Sequence, residues 1–268
     1  MNEQSAAQLR YLNRQKRHRL TVVLSRALIL IGFFCLWEFC ADRGIIDSFI
    51  FSSPSKIAAC FMDMTRDGSI YRHIWVTLYE TLVSFLLVIG ISILMAVVLW
   101  LCPKLSEILD PYMVVLNSLP KSALAPLLIV WLGATTTTII VAGMSVAIFG
   151  SILNLYTAFR TADPEKIKLI YTLRGTRIQA LTKAVIPGSI PALISTMKVN
   201  IGLCLVGVII GEFLAARQGL GYLIIYASQT FKLDWLLMSI VLLCIMAMLL
   251  YAVINLLEKL YQRQISGK

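Results

Sequence analysis

Residues 75–101 read WVTLYETLVSFLLVIGISILMAVVLWL, an apolar run whose one charged residue is Glu80. As a helix it measures roughly 40 Å, more than the ~30 Å of bilayer hydrocarbon. Unpaired backbone groups are not tolerated in hydrocarbon, so a lone apolar run of this length must be helical. The same reading, carried outward, finds five further runs: Leu20 to Ala41, Pro111 to Leu132, Thr137 to Ala158, Ser189 to Phe213 and Leu233 to Leu257. The predicted fold class is all-α integral membrane with six transmembrane helices.

Composition agrees. Of the 268 residues, 59% are hydrophobic and 14% charged, whereas a soluble domain covers its surface with about 25% charged residues. The net charge of +10 does not point to nucleic acid, because the basic residues stand beside membrane ends rather than in one aromatic-laced patch. With the N-terminus inside, the segments assigned to the cytoplasm carry fifteen Lys and Arg and the outer ones six. That bias predicts both termini in the cytoplasm. Residues 1–19 then form an N-terminal tail, 20–257 the transmembrane domain and 258–268 a C-terminal tail. The basic stretch Arg10 to Arg19 ahead of the first span resembles a secretory signal. The span is longer than a signal core and no small-x-small cleavage site follows it, so it is read as a retained anchor.

Two polar segments interrupt the spans. In the outer one, 42–74, Ser53 and Pro54 suit an N-cap and first helical position, and Ile57, Phe61 and Met64 recur at helical spacing, as in an interfacial helix. The inner one, 159–188, is denser in signals. Asp163, Pro164 and Glu165 start a helix predicted to run to about Leu173. Gly175 is expected to supply the conformation that ends it. Thr176 with Gln179 forms a capping box for a second helix, bearing Ile178, Leu181 and Val185, which should stop near Pro187. Ile167, Ile170 and Tyr171 make an apolar stripe that needs a partner, either the chain's own bundle or another protein.

The third run holds Pro120, Lys121 and Pro126. Either the helix is broken at mid-membrane and Lys121 faces protein or water, or the span begins late and Lys121 reaches the cytoplasmic interface. Glu80, Asn154, Asn200 and Glu212 either line a pathway or link helices. Pro120, Lys121, Asn200 and Glu212 are the pathway candidates.

No catalytic constellation is visible. The two histidines, His18 and His73, fall on opposite sides of the membrane by this topology. The six cysteines lack metal-ligand spacing and read as small packing residues. No phosphate-cradling G-x-x-x-x-G-K-[ST] occurs, and the GLG at Gly219–Gly221 is a turn.

The stretch DPEKIKLIYTLRGTRIQALTKAVIPGSIP (163–191) resembles the coupling loop of the permeases of ATP-binding-cassette importers, of the nitrate, sulfonate and taurine type. SPSKI (53–57), LDPYMVVLNSLPKSALAPLLIVWLG (109–133), SILNLYTAFRTADPE (151–165) and GEFLAARQGLGYLI (211–224) extend the likeness through nearly the whole chain. The resemblance implies a multi-pass subunit of the bacterial inner membrane, paired with a second permease copy and working by alternating access. Two separate ATPase subunits would dock on the coupling loops, and an extracytoplasmic binding protein would deliver a small solute such as a sulfonate, taurine, nitrate or vitamin precursor. ATP would be used by the partner, this chain binding no cofactor and catalysing nothing. The residues implied in coupling are Asp163, Glu165, Lys168, Arg174, Gly175, Thr176, Arg177, Gln179 and Pro187. Aligned on Pro187, the family's Glu is replaced by Lys168, its two Ala by Leu169 and Ile170, and its Gly by Arg174, with Gly175 displaced by one. A secondary transporter or channel is the rival reading, but neither an internal repeat nor clustered intramembrane carboxylates support it. A membrane-bound enzyme lacks its constellation.

Overall fold

The computed structural model describes residues 6–266. Residues 1–5 and 267–268, with the Lys268 counted in the inner bias, lie outside the described residues, as do the side chains of Arg10, Lys16, Arg19 and Arg263. The described chain is helical throughout: α1 (Ala6–Asp42), α2 (Ser48–Phe51), α3 (Pro54–Arg66), α4 (Ser69–Leu101), α5 (Pro103–Ser118), α6 (Lys121–Leu132), α7 (Thr136–Arg160), α8 (Pro164–Thr172), α9 (Arg177–Ala180), a π-turn (Leu181–Val185), α10 (Ile186–Ala215), α11 (Leu220–Gln229) and α12 (Leu233–Ser266). Five stretches are long and apolar enough to cross a membrane, or six if bent α5 and α6 count as one. The fold is all-α and membrane-spanning.

Two compact units divide at Asp63 and Met64. In the first, Leu20–Asp42 is the candidate span, and Leu28, Ile29 and Ile31 stand exposed along it as lipid contact requires. The start of α3 has the expected Ser53 N-cap, whose hydroxyl accepts the Lys56 amide at 3.4 Å. A carboxylate adds to it, since Glu38 accepts the Ser55 amide (3.0 Å) and hydroxyl (2.6 Å). A negative charge there suits the positive end of the α3 dipole.

The second unit is built on α7, packed against both α10 and α4, which also touch each other. Small residues permit the close approach. A Cβ on Gly207 would meet Gly143 Cα at 2.8 Å and Ala142 O at 2.9 Å, so the α7 and α10 backbones touch. Without a hydrophobic force between helices in lipid, such contact supplies the packing energy. Phe85, Val88, Ala147, Ile201, Cys204 and Ile254 fill the centre. Cys204 is the cysteine that fits the packing reading, whereas Cys35, Cys102 and Cys244 are exposed.

The third apolar run departs from a straight span. It bends by 96° between α5 and α6. Leu119 takes extended dihedrals (φ −62°, ψ 140°), the conformation forced on a residue that precedes proline. Helix α11 was not foreseen; it packs on α10 and α12. Lys232 follows it, 4.4 Å from the Trp235 ring centroid and 5.8 Å from that of Tyr226.

Candidate functional site

The segment between α7 and α10 forms two short helices joined by a tight turn. Asp163 Oδ1 accepts the Glu165 amide at 3.0 Å and starts α8. The capping box is present in both directions, Thr176 N–H to Gln179 Oε1 (2.8 Å) and Gln179 N–H to Thr176 Oγ1 (3.3 Å). Between them α8 closes in a Schellman arrangement, with Gly175 N–H bonded to Ile170 O (2.8 Å) and Arg174 N–H to Tyr171 O (2.9 Å).

Two expectations are corrected here. The left-handed residue is Arg174 (φ 58°), not Gly175. Gly175 is needed for closeness instead, because a Cβ there would lie 2.7 Å from Ile170 O and 2.4 Å from Ile170 Cγ2. Arg174 thus occupies, with a side chain, the conformation that glycine adopts most readily. Nor does the second helix stop at Pro187. Helix α9 continues through the π-turn into α10, with Ile186 N–H bonded to Leu181 O. The widened turn adds a residue ahead of Pro187, whose missing N–H and bulky ring would break a regular α ladder.

The apolar stripe divides. Ile167 packs with Phe159, Leu181 and Val185 in the chain's own core, Ile170 is half-buried, and Tyr171 is exposed. Leu169, Leu173 and Ile178 are 59%, 74% and 63% exposed, so the outward face of the two helices is apolar. Lys168 and Arg174 are exposed beside it. Arg177 turns inward, donating through Nη2 to Trp100 O at 2.7 Å and lying over the Trp100 ring. Its cation therefore meets the carbonyl end of α4, where the helix dipole favours it.

The four pathway candidates are not brought together. Pro120 and Lys121 mark the α5–α6 break, where Lys121 Nζ donates to Leu116 O in the last turn of α5 and sits 5.4 Å from the Phe149 ring centroid. The lysine thus satisfies one carbonyl, that of Leu116, freed by the bend. Asn200 is buried and donates to Ser151 Oγ at 2.8 Å, linking α10 to α7. Glu212, 1% exposed, lies at the far end of α10.

There Glu212 holds the GLG turn. Its Oε1 accepts the Thr77 hydroxyl and its Oε2 the Gly221 amide, both at 2.6 Å. Thr77 Oγ1 accepts the Leu220 amide (2.8 Å), and His73 Nδ1 lies 3.0 Å from the Gly219 nitrogen and 3.1 Å from its carbonyl oxygen. The glycines leave room for the carboxylate, since a Cβ at Gly219 would stand 2.4 Å from it and one at Gly221 2.8 Å. Among the described residues no group of three His, Cys, Asp or Glu could hold a metal.

Sequence reading passed over Lys198, although a lysine inside the fifth apolar run was the available signal. Its ammonium pairs with Glu258 of α12, donates to Asn255 Oδ1 at 3.3 Å, and lies 5.9 Å from the Tyr251 ring centroid.

The family described as binding-protein-dependent transport system inner membrane component matches residues 88–267. A probable ABC transporter permease protein of Haemophilus influenzae is 26% identical over 233 residues, covering 87% of this chain and 94% of the relative. The riboflavin transport system permease protein RibX of Chloroflexus aurantiacus is 27% identical over 255 residues, covering 95% and 94%. The taurine transport system permease protein TauC of Escherichia coli is 23% identical over 221 residues, covering 80% of each. Among solved structures, an inward-facing form of the MetNI methionine ABC transporter superposes with a TM-score of 0.64 at 18% identity, covering 72% of this chain and 96% of that one. That likeness concerns the fold.

Proposed function

The chain belongs to the family of binding-protein-dependent transport system inner membrane components, and from that premise we propose that its 159–188 segment is the lever through which a separate ATPase drives it. It is an ABC importer permease, a multi-pass transport subunit rather than an enzyme. The finer reading concerns how it couples, what it carries and how it assembles.

One observation carries the coupling role. The α8–α9 unit is capped by its own hydrogen bonds at both ends of α8 and at the start of α9, yet presents Leu169, Leu173 and Ile178 outside the chain's packing. A rigid unit with an uncovered apolar face, ringed by Lys168 and Arg174, is built to seat in a groove. The continuous α9–α10 rod gives that unit a direct mechanical link to the bundle. The groove should carry acids to match the two cations, because like charges at an interface cost affinity. ATP would be bound and hydrolysed on that partner.

The remaining assignments follow from the relatives and the basic bias. Two copies of the chain would pair, both termini would face the cytoplasm, and a binding protein would deliver substrate at the other face. The translocation route would run by the bent α5–α6 pair, where Pro120 and Lys121 stand. Its cargo would be a small solute of the kinds that relatives' names give, sulfonates, taurine or vitamin-related compounds among them.

The test is co-purification with the cognate ATPase. Lys168→Glu with Arg174→Glu should reduce ATPase recovery and substrate-stimulated hydrolysis, whereas Lys56→Glu, in the outer segment, should not. Intact assembly and hydrolysis in the double reversal would sink the charge-matched docking.

A further inference from the structure

Glu80 on α4 and Glu212 on α10 are each 1% exposed. Their side chains are hydrogen-bonded to one another, at the end of the bundle that the basic bias assigns to the outside. An ionised carboxylate only accepts hydrogen bonds, so a bond between two carboxyl groups requires a proton on one of them. The surroundings say which. Glu212 is an acceptor at both oxygens, Oε1 from the Thr77 hydroxyl and Oε2 from the Gly221 amide, each at 2.6 Å. Glu80 receives no such donor: its Oε2 has no partner among the described residues, which leaves the other oxygen to meet Glu212. An unmatched buried oxygen is far costlier on an ionised carboxylate than on a neutral acid. Glu80 is therefore the acid that donates and Glu212 the carboxylate that accepts.

No cation neutralises the pair in place of that proton. The first turns of α4 bring exposed Arg72 and also His73, whose ring meets Gly219 and stacks on Tyr222 of α11. The α10–α11 connection brings Arg217, exposed at the rim of a cavity beside Glu80. The start of α7 brings Thr135, Thr136 and Thr138, which carry no charge. Helix α6 has Lys121, held at the α5–α6 break, and α12 has Asp234 at its start, next to Lys232 over the Tyr226 and Trp235 rings. Among the described residues neither Glu80 nor Glu212 forms an ion pair. Two carboxyl groups in contact, away from water and without a cation, do not both ionise.

We propose that Glu80 and Glu212 form a proton-binding site: one proton, held between them at neutral pH, ties α4 to α10 and, through Thr77 and Gly221, to the GLG turn. The tie is reversible. When this end of the bundle opens to water, the Glu80 O–H bond breaks, its electron pair stays on the new carboxylate and the proton passes to water. Closing again requires a proton, because two like charges would otherwise be brought into contact. Rising pH on that side therefore favours the open end. The site stands at the far end of α10 from the coupling segment, and it depends on neither the ATPase nor the cargo.

Infrared spectra of the full chain, in a detergent without ester carbonyls, read the proton directly. The carbonyl stretch of a protonated carboxylic acid should be present in the wild type at neutral pH and absent from Glu80→Gln, whose NH₂ can donate to Glu212 as the acid does. Hydrogen exchange of the 219–221 amides gives a second readout, taken as the ratio of wild type to Glu80→Gln at each pH so that intrinsic exchange cancels. Above the ordinary Glu range near ~4.3, each opening releases a proton in the wild type and none in the variant. The ratio should therefore rise with pH, by up to about tenfold per unit. Placing His73→Gln in both backgrounds should leave that rise in place, which separates it from titration of the histidine. Following the wild-type band against pH needs no variant: it should fade as 219–221 exchange outpaces its intrinsic rise, and this tests the site even where Glu80→Gln does not fold. A wild type without the band, a band unaltered in Glu80→Gln, or a ratio flat with pH overturns the proposal.

Discussion

Replacing Gly175 by alanine should loosen the turn between α8 and α9, and the geometry says by how much. The added Cβ would stand 2.7 Å from the Ile170 carbonyl oxygen and 2.4 Å from Ile170 Cγ2, against a favourable separation of about 3.5–4.0 Å. The methyl end can rotate away. The carbonyl cannot, because it is the acceptor of Gly175's own N–H at 2.8 Å. Relief therefore requires giving up that bond, worth about 0.5–1.5 kcal/mol, or shifting backbone, and overpacking of this kind costs about 1–3 kcal/mol. A local loss of about 2 kcal/mol speeds opening of the turn roughly thirtyfold at about 1.4 kcal/mol per tenfold. Hydrogen exchange of the 173–179 amides in the assembled transporter reads this directly, with substrate-stimulated hydrolysis as the functional counterpart. Arg174→Gly is the paired control. It removes a left-handed strain of about 1–2 kcal/mol and adds a glycine's chain-entropy cost of about 0.5–1 kcal/mol, so exchange should slow slightly or stay level. Unchanged exchange in Gly175→Ala together with faster exchange in Arg174→Gly would falsify the assignment of positions in this turn.

Three further outcomes are expected. Gly207→Val should prevent the α7–α10 contact, since its Cβ would meet backbone at 2.8 Å, and should abolish the monodisperse peak on fluorescence size-exclusion, whereas Gly202→Ala, with nothing within 4 Å, should leave it intact. Lys198→Met should destabilise by about 1–3 kcal/mol, short of the ~3–5 for a fully buried pair because these side chains are 19% and 25% exposed, and adding Glu258→Leu should restore most of the loss in thermal melts; a double variant as weak as the single would contradict the pairing. Glu212→Gln must turn an NH₂ toward either the Thr77 hydroxyl or the Gly221 amide, and the resulting unmatched donor, worth about 1–3 kcal/mol, should raise exchange at Gly219–Gly221; exchange at wild-type rates would show that the carboxylate does not hold the turn.

The lipid-facing character of the chain was fully legible in its sequence. A bilayer turns each apolar run into a local problem, because hydrogen bonding must be completed within the run itself, so the helical state of the long apolar runs and their approximate ends follow from hydropathy. The caps at Ser53, Asp163 and Thr176 were legible for the same reason: donor and acceptor lie within three residues. The break at Pro120 was one of two readings that the sequence left open, and the structure decides for it with a 96° bend, in keeping with the restriction a proline places on its predecessor. Partnerships across the bundle were not legible. Thr77 and Glu212 are 135 residues apart, Lys198 and Glu258 60, and Asn200 and Ser151 49, so only helix packing decides that these polar groups complete one another instead of facing a pathway. The left-handed turn at Arg174 belongs to the same class. Composition favours Gly175 next door, but the close approach to Ile170 claims that glycine for space and leaves the positive φ to its neighbour. Pro187, a stop signal by local rules, is carried through because packing of Leu181 and Val185 against Phe159 holds the π-turn that makes room for it.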